Sequence, residues 1–145
     1  FFARDPVLRR RDLLRYIASW PIVLDFPAAA IAAVHGGFLP GMRVHAESVE
    51  RAQDELVELR WIRKKDGEWK AVPKDKKKNG DVLWPEKWKG ERVVVYGHTP
   101  LREPKFDDRA LGLDTGCVYG GSLTAAAFAE GEWRMESVKA KRKYA

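Results

Sequence analysis

Apolar residues recur at helical spacing in two parts of the chain. In the first, Asp5-Pro6 precedes an apolar stripe that should end near Trp20-Pro21, which predicts a helix with an N-cap and a proline in its first turn. The stripe comprises Leu8, Leu13, Leu14, Ile17 and Ala18. In the second, residues 46–59 repeat this spacing with charges between the apolar positions, which predicts a surface helix.

Shorter apolar runs predict β-strands. The candidates are residues 22–26, 28–34, 92–96 and 110–113. The last three end at glycine-containing turns that carry polar side chains. Two further runs flank Glu130-Gly131 with partial alternation, so we expect a β-hairpin between about residues 122 and 138.

Positive charge is concentrated in one internal segment and in the tail. The net charge is +6, and residues 63–92 hold eleven Lys or Arg against six Asp or Glu. We expect residues 63–90 to form a basic excursion loop, which is held to the core by Trp69, Trp84 and Trp88, and residues 139–145 to form a basic tail. Both can be solvated surface, or can attract phosphorylated or nucleic-acid partners.

Composition limits the class of protein. With 45% apolar and 33% charged residues, the chain has the balance of a globular protein, and its longest apolar stretch is far below the roughly 20 residues of a membrane span. The single cysteine, Cys117, excludes an internal disulfide and fits a buried structural thiol. We therefore expect a cytoplasmic protein without a membrane partner. Because the chain opens on Phe1-Phe2 without methionine, we expect a fragment of a longer one.

Two apolar runs end at a histidine beside glycine, in His35-Gly36-Gly37 and in Gly97-His98. A strand end fixes the direction of a side chain, and glycine lets the backbone approach an ion or a phosphate. Either histidine alone fits a structural or surface role better than metal ligation. Finding both in the same context makes the two readings about equally good. His45 lacks that context and is expected at the surface.

Three motifs resemble those of the calcineurin-like metallophosphoesterases. Residues 34–41, Val-His-Gly-Gly-Phe-Leu-Pro-Gly, are similar to the fourth motif of the family, and residues 95–100, Val-Tyr-Gly-His-Thr-Pro, to the fifth. Residues 112–125 resemble the closing strand and turn of the branch that holds phosphoprotein phosphatases and diadenosine tetraphosphatases. Residues 13–21 resemble the helix-to-strand entry of members related to zinc-dependent polyphosphatases.

The resemblance implies an α/β fold, namely the C-terminal half of a layered αββα sandwich with mixed β-sheets, over residues 1–138. It also implies two divalent metal ions (manganese, zinc, iron or magnesium), with His35 and His98 on the same ion. Arg60 and Tyr119 become candidate substrate-binding residues, whereas Asp114 is better explained as a turn residue. The upstream motifs of the family, Asp-x-His, Gly-Asp-x-x-Asp-Arg-Gly and Gly-Asn-His-Asp/Glu, do not occur here.

The expected function is therefore that of a metal-dependent phosphoric ester hydrolase whose catalytic residues lie outside this segment. A phosphoprotein phosphatase-like activity is the first expectation, and hydrolysis of diadenosine tetraphosphate or polyphosphate is the alternative. A non-catalytic remnant that binds phosphate or nucleic acid is the alternative from another class. We expect the segment alone to be inactive and to need the upstream half of the same domain.

Overall fold

The computed structural model describes residues 6–45, 49 and 52–145. The expected first helix is α1, Pro6–Ala18. It ends where the Ser19 amide donates to the Arg15 carbonyl at 3.0 Å, just before Trp20-Pro21 as predicted; Asp5 lies outside the described residues. Of the second expected helix, Gln53–Glu58 is helical and is called α2, and residues 46–48, 50 and 51 lie outside the described part.

A mixed sheet of five strands forms the centre of the molecule, in the order β1-β2-β6-β8-β7. Its strands are β1 Val23–Phe26, β2 Ile31–Val34, β6 Val93–Tyr96, β7 Lys105–Asp107 and β8 Ala110–Gly112. Strands β2, β6 and β8 are parallel, and the edge strands β1 and β7 are antiparallel to their neighbours. The predicted α/β class with a mixed sheet is confirmed.

A second, antiparallel sheet occupies much of the segment expected to be a basic loop. It is formed by β3 Trp61–Lys65, β4 Glu68–Val72 and β5 Val82–Leu83, in the order β4-β3-β5. Asp66 and Gly67 connect β3 to β4, and both have positive φ, 51° and 84°. This is the Asp-Gly pattern that favours a tight hairpin turn, but the flanking residues are mostly charged, which is more typical of a loop.

Two tryptophans of the same segment lie in the core. Trp84 and Trp88 are completely buried, with ring centroids 6.2 Å apart, and they pack in one cluster with Phe38, Leu56, Ile62 and Val94. Their indole N–H groups donate to the carbonyl oxygens of Gly36 and Arg92, each at 3.0 Å. The expectation that these tryptophans hold the segment to the core is confirmed.

The predicted hairpin is present as β9 Ser122–Ala129 and β10 Glu132–Lys139. Glu130 and Gly131 form its turn with φ values of 55° and 83°, as a two-residue turn with both φ positive requires. Leu123 and Val138 lie opposite each other near the open end of the hairpin and are 66% and 70% exposed.

Among the described residues, no helix has the length and apolarity needed to cross a membrane.

One ion pair connects the small sheet to the loop before β5. Arg63 donates from Nε and Nη2 to the two carboxylate oxygens of Asp81 at 2.6 and 2.7 Å, and the Lys78 amide donates to Asp81 at 2.7 Å. The Asp81 side chain is only 1% exposed. These hydrogen bonds, that from Arg63 foremost, lower the pKa of Asp81 from 3.8 to about 2.

This pKa gives the stability of the chain a defined pH dependence. Because the folded pKa lies below the unfolded one, the contribution of Asp81 is present above about pH 4 and is lost as the pH falls towards 2. We expect Asp81→Asn to lower the urea midpoint at pH 7, with a gap to the wild type that narrows by pH 2.5. Asp66→Asn, at the exposed hairpin turn, is the control and should leave the midpoint almost unchanged. A gap of the same size at both pH values would contradict the assignment.

Candidate metal centre

The two motif histidines follow neighbouring parallel strands. Val34 and Tyr96, the last residues of β2 and β6, are paired in register, and the Gly97 amide extends the ladder by donating to the His35 carbonyl at 3.0 Å. The carboxyl ends of parallel strands meet at one edge of a sheet, so both histidines emerge there. Their ring centroids lie 5.0 Å apart, with 60° between the ring planes.

His98 has an unusual backbone conformation. Its φ of 60° lies in the left-handed region, where a residue other than glycine costs about 1–3 kcal/mol and needs support from its surroundings. Arg60 supplies part of that support, because its Nη2 donates to the His98 carbonyl at 2.9 Å. The Arg60 Nε is buried and has no hydrogen-bond partner among the described residues. The Arg60 guanidinium is therefore in direct contact with the backbone of His98.

The environment of His98 favours the neutral imidazole. Partial burial lowers its pKa most, and the positive charge of Arg60 and the proximity of His35 lower it further. Glu58, at the end of α2, acts in the opposite direction on this pKa through its backbone and its negative charge. A neutral imidazole has one ring nitrogen with a free lone pair, which metal ligation needs.

Glycines after His35 allow a close approach of the backbone. The amides of Gly36 and Gly37 donate to the Leu56 carbonyl at 2.6 and 3.3 Å, so the end of α2 holds the loop that carries His35. A Cβ atom on Gly36 would lie 2.7 Å from the Val57 backbone, and one on Gly37 would lie 2.2 Å from the Trp84 ring. Larger residues at either position would displace the loop.

The geometry fits a divalent ion held by both imidazoles. With metal–nitrogen bonds of about 2.0–2.1 Å, two imidazoles on one ion bring their nearest nitrogens to roughly 3–4 Å, which a centroid separation of 5.0 Å allows. Within the described ranges, no group of three or more His, Cys, Asp or Glu side chains is placed to hold an ion. Two imidazoles alone would leave the coordination sphere of such an ion incomplete.

Asp114 and Cys117 lie near the histidines, whereas Tyr119 lies further out. A cleft of about 390 Å³ is bordered by His35, His98, Asp114 and Cys117 together with strand residues. Asp114 Oδ1 accepts the Gly116 amide at 3.0 Å, so it orders its turn as expected. Tyr119 is 59% exposed and does not border this cleft, so its role in substrate binding stays a prediction.

Two acidic residues that follow His98 in the sequence, and the third histidine, lie in other surroundings. Asp107 pairs with Lys105 at 2.8 Å, and Asp108 pairs with Lys89. His45 is exposed at the surface, as predicted. No local pattern predicts that Trp84 supports the loop after His35, because its indole contacts the Gly36 carbonyl across 48 residues of sequence.

Arg60 is expected to act as a positioning residue. Arg60→Ala removes the hydrogen bond that holds the left-handed His98, so the affinity of the chain for zinc should fall by roughly tenfold, the usual effect of losing a group that orients a ligand. Arg60→Lys should recover little of it, because an ammonium cannot reproduce the guanidinium geometry. Isothermal titration measures the affinity, with the exposed Arg134→Ala as control. Unchanged affinity in a folded Arg60→Ala chain would show that Arg60 does not position His98.

Sequence comparison finds relatives for part of the chain, although no family model matches it. A stretch of 47 residues is 47% identical to the asymmetrical bis(5'-nucleosyl)-tetraphosphatase PrpE of Geobacillus thermodenitrificans and covers 32% of this chain and 19% of that protein. A stretch of 50 residues is 48% identical to the PrpE of Halalkalibacterium halodurans and covers 34% and 20%.

Comparison of folds extends over more of the chain. A crystal structure of a candidate diadenosine tetraphosphatase has a TM-score of 0.71 and 29% sequence identity over 88% of this chain. This chain spans 55% of that protein, and its matched segments span about a fifth of the curated relatives. The relatives support a phosphoesterase hydrolase at the level of the family. Over the part compared, sequence and fold confirm the resemblance to the calcineurin-like metallophosphoesterase superfamily.

Proposed function

We propose that this chain forms the His35–His98 half of a two-metal centre and that the complete protein hydrolyses bis(5'-nucleosyl) tetraphosphates. The observation that carries the proposal is the 5.0 Å separation of two imidazoles at the ends of adjacent parallel strands. A divalent ion bound there would polarise a phosphoryl oxygen and help to generate the hydroxide that attacks phosphorus. The asymmetrical tetraphosphatases among the relatives favour this substrate over the phosphoprotein that the motifs led us to expect first.

The residues of this chain would then have separate tasks. His35 and His98 would hold the ion as neutral imidazoles, and Arg60 would fix the backbone of His98. Asp114 would keep the neighbouring turn in place. Orientation of ligands by such outer groups contributes to metal affinity and activity.

We further propose that an upstream half of the same domain completes the centre. Two imidazoles cannot hold two ions at a short separation, because a bridging ligand is needed to set their distance. The surfaces available for this half are apolar: Leu13 and Leu14 on α1, and Trp20 just after it, are each 56% exposed. A lone two-stranded ribbon such as β9–β10 is also marginally stable without a covering partner.

Hydrolysis of diadenosine tetraphosphate tests the function. With manganese, the complete protein should release one nucleoside triphosphate and one nucleoside monophosphate, and the 145-residue chain alone should be inactive. His35→Ala and His98→Ala should each lower kcat/KM of the complete protein by more than roughly 100-fold, since losing a ligand exceeds the effect of losing its support. His45→Ala is the matched control and should retain activity.

Two results would contradict this proposal. Activity of the complete protein that survives both His35→Ala and His98→Ala would remove these residues from the centre. Robust turnover by the 145-residue chain alone would show that the upstream half is not needed. Phosphopeptide hydrolysis without tetraphosphatase activity would instead return the substrate to the phosphoprotein alternative.

A further inference from the structure

A second groove lies beside His98 and is separate from the cleft described above. It has a volume of about 520 Å³ and runs between α2, the beginning of β3 and the end of β4, with His98 at its border. This size is typical of small-molecule sites. Its residues come mainly from α2 and the small sheet, so the strands within the segment expected to be a loop build a site that the histidine motifs do not contain.

One side of the groove is apolar and carries an aromatic ring. Trp61 is half-buried and pairs across the sheet with Val72, which is followed by Pro73, and all three border the groove. The Lys77 ammonium lies 5.6 Å from the Trp61 ring centroid, and Lys77 is not among the residues that border the groove. An indole at a groove wall is a platform on which a planar base can stack.

The part of the groove formed by α2 is acidic. Asp54, Glu55 and Glu58 border it there, and Lys74 and Asp75 border it after β4. Carboxylates accept hydrogen bonds from hydroxyl groups and repel phosphate. Among the described residues, these carboxylates belong to no group of three or more side chains that could hold a metal ion. A ribose diol suits this wall, and any phosphate on the same ligand would be directed away from it, towards His98 and Arg60.

We propose that this groove binds one nucleoside of a dinucleoside polyphosphate, with the base against Trp61, the ribose hydroxyls towards the α2 carboxylates and the phosphate chain leading to His98. The inference rests on the proposed function, because His98, one of the two proposed metal ligands, borders the groove. It assigns recognition of the nucleoside to the small sheet and α2, whereas the histidines would act on the phosphate chain. A phosphate ester without a base would not use the groove.

Binding of adenosine to the 145-residue chain tests this site without metal or hydrolysis. In ¹H–¹⁵N spectra, adenosine should shift the indole N–H signal of Trp61, which Trp61→Phe identifies by its disappearance. Trp61→Ala should weaken adenosine binding by about tenfold, the usual effect of losing a stacking side chain. Trp61→Phe should retain most of the affinity. Lys65→Ala, on the exposed far end of the same strand, should bind like the wild type.

The outcomes separate this proposal from the proposed function. Absence of adenosine binding at millimolar concentration, or equal affinity in wild type, Trp61→Phe and a folded Trp61→Ala, would overturn the nucleoside site and leave the histidine centre untouched. Adenosine that binds while shifting other indole signals and not that of Trp61 would also overturn it. If adenosine binds as expected while the complete protein fails to cleave diadenosine tetraphosphate, the groove is a nucleoside site and the proposed reaction is wrong.

Discussion

The parallel pairing of β2 with β6 determines where both histidines lie. Four residue pairs connect these strands, from Ile31–Val93 to Val34–Tyr96, and His35 and His98 follow within two residues of the last pair. Successive strand residues point to opposite faces, so a slip of one position would send every β2 side chain to the other face. The burial of Val34, Val94 and Tyr96 on the core side fixes that register.

The small sheet and α2 hold the loops that leave this edge. Trp84 fills the space beside Gly37 and donates to Gly36, and the Leu56 carbonyl in α2 accepts the amides of both glycines. The same helix and sheet form the walls of the groove beside His98. The small sheet and α2 thus form one unit that supports the proposed metal ligands and shapes the surface next to them. This role accounts for the completely buried tryptophans in a segment rich in lysine.

Local sequence patterns predicted much of the fold. The end of α1, the strands that precede both histidines and the Glu130-Gly131 hairpin all have short-range signals. The hairpin of β3 and β4 has such a signal too, in Asp66-Gly67. Its strands, however, contain many charged residues and few apolar ones, a composition typical of a loop. The contact of Arg60 with His98 joins residues 38 positions apart. No spacing rule reveals it, because it depends on how α2, β3 and β6 pack together.

The central claim is that His35 and His98 hold the same divalent ion, and the imidazole signals of the chain report on it directly. In long-range ¹H–¹⁵N spectra, zinc should shift the ring signals of His35 and His98 together, with one apparent affinity and a stoichiometry of one ion. The ring signals of His45, the one other histidine of the sequence, should not shift and serve as the internal control. If His35 and His98 respond with different affinities, or if only one of them responds, they do not share an ion.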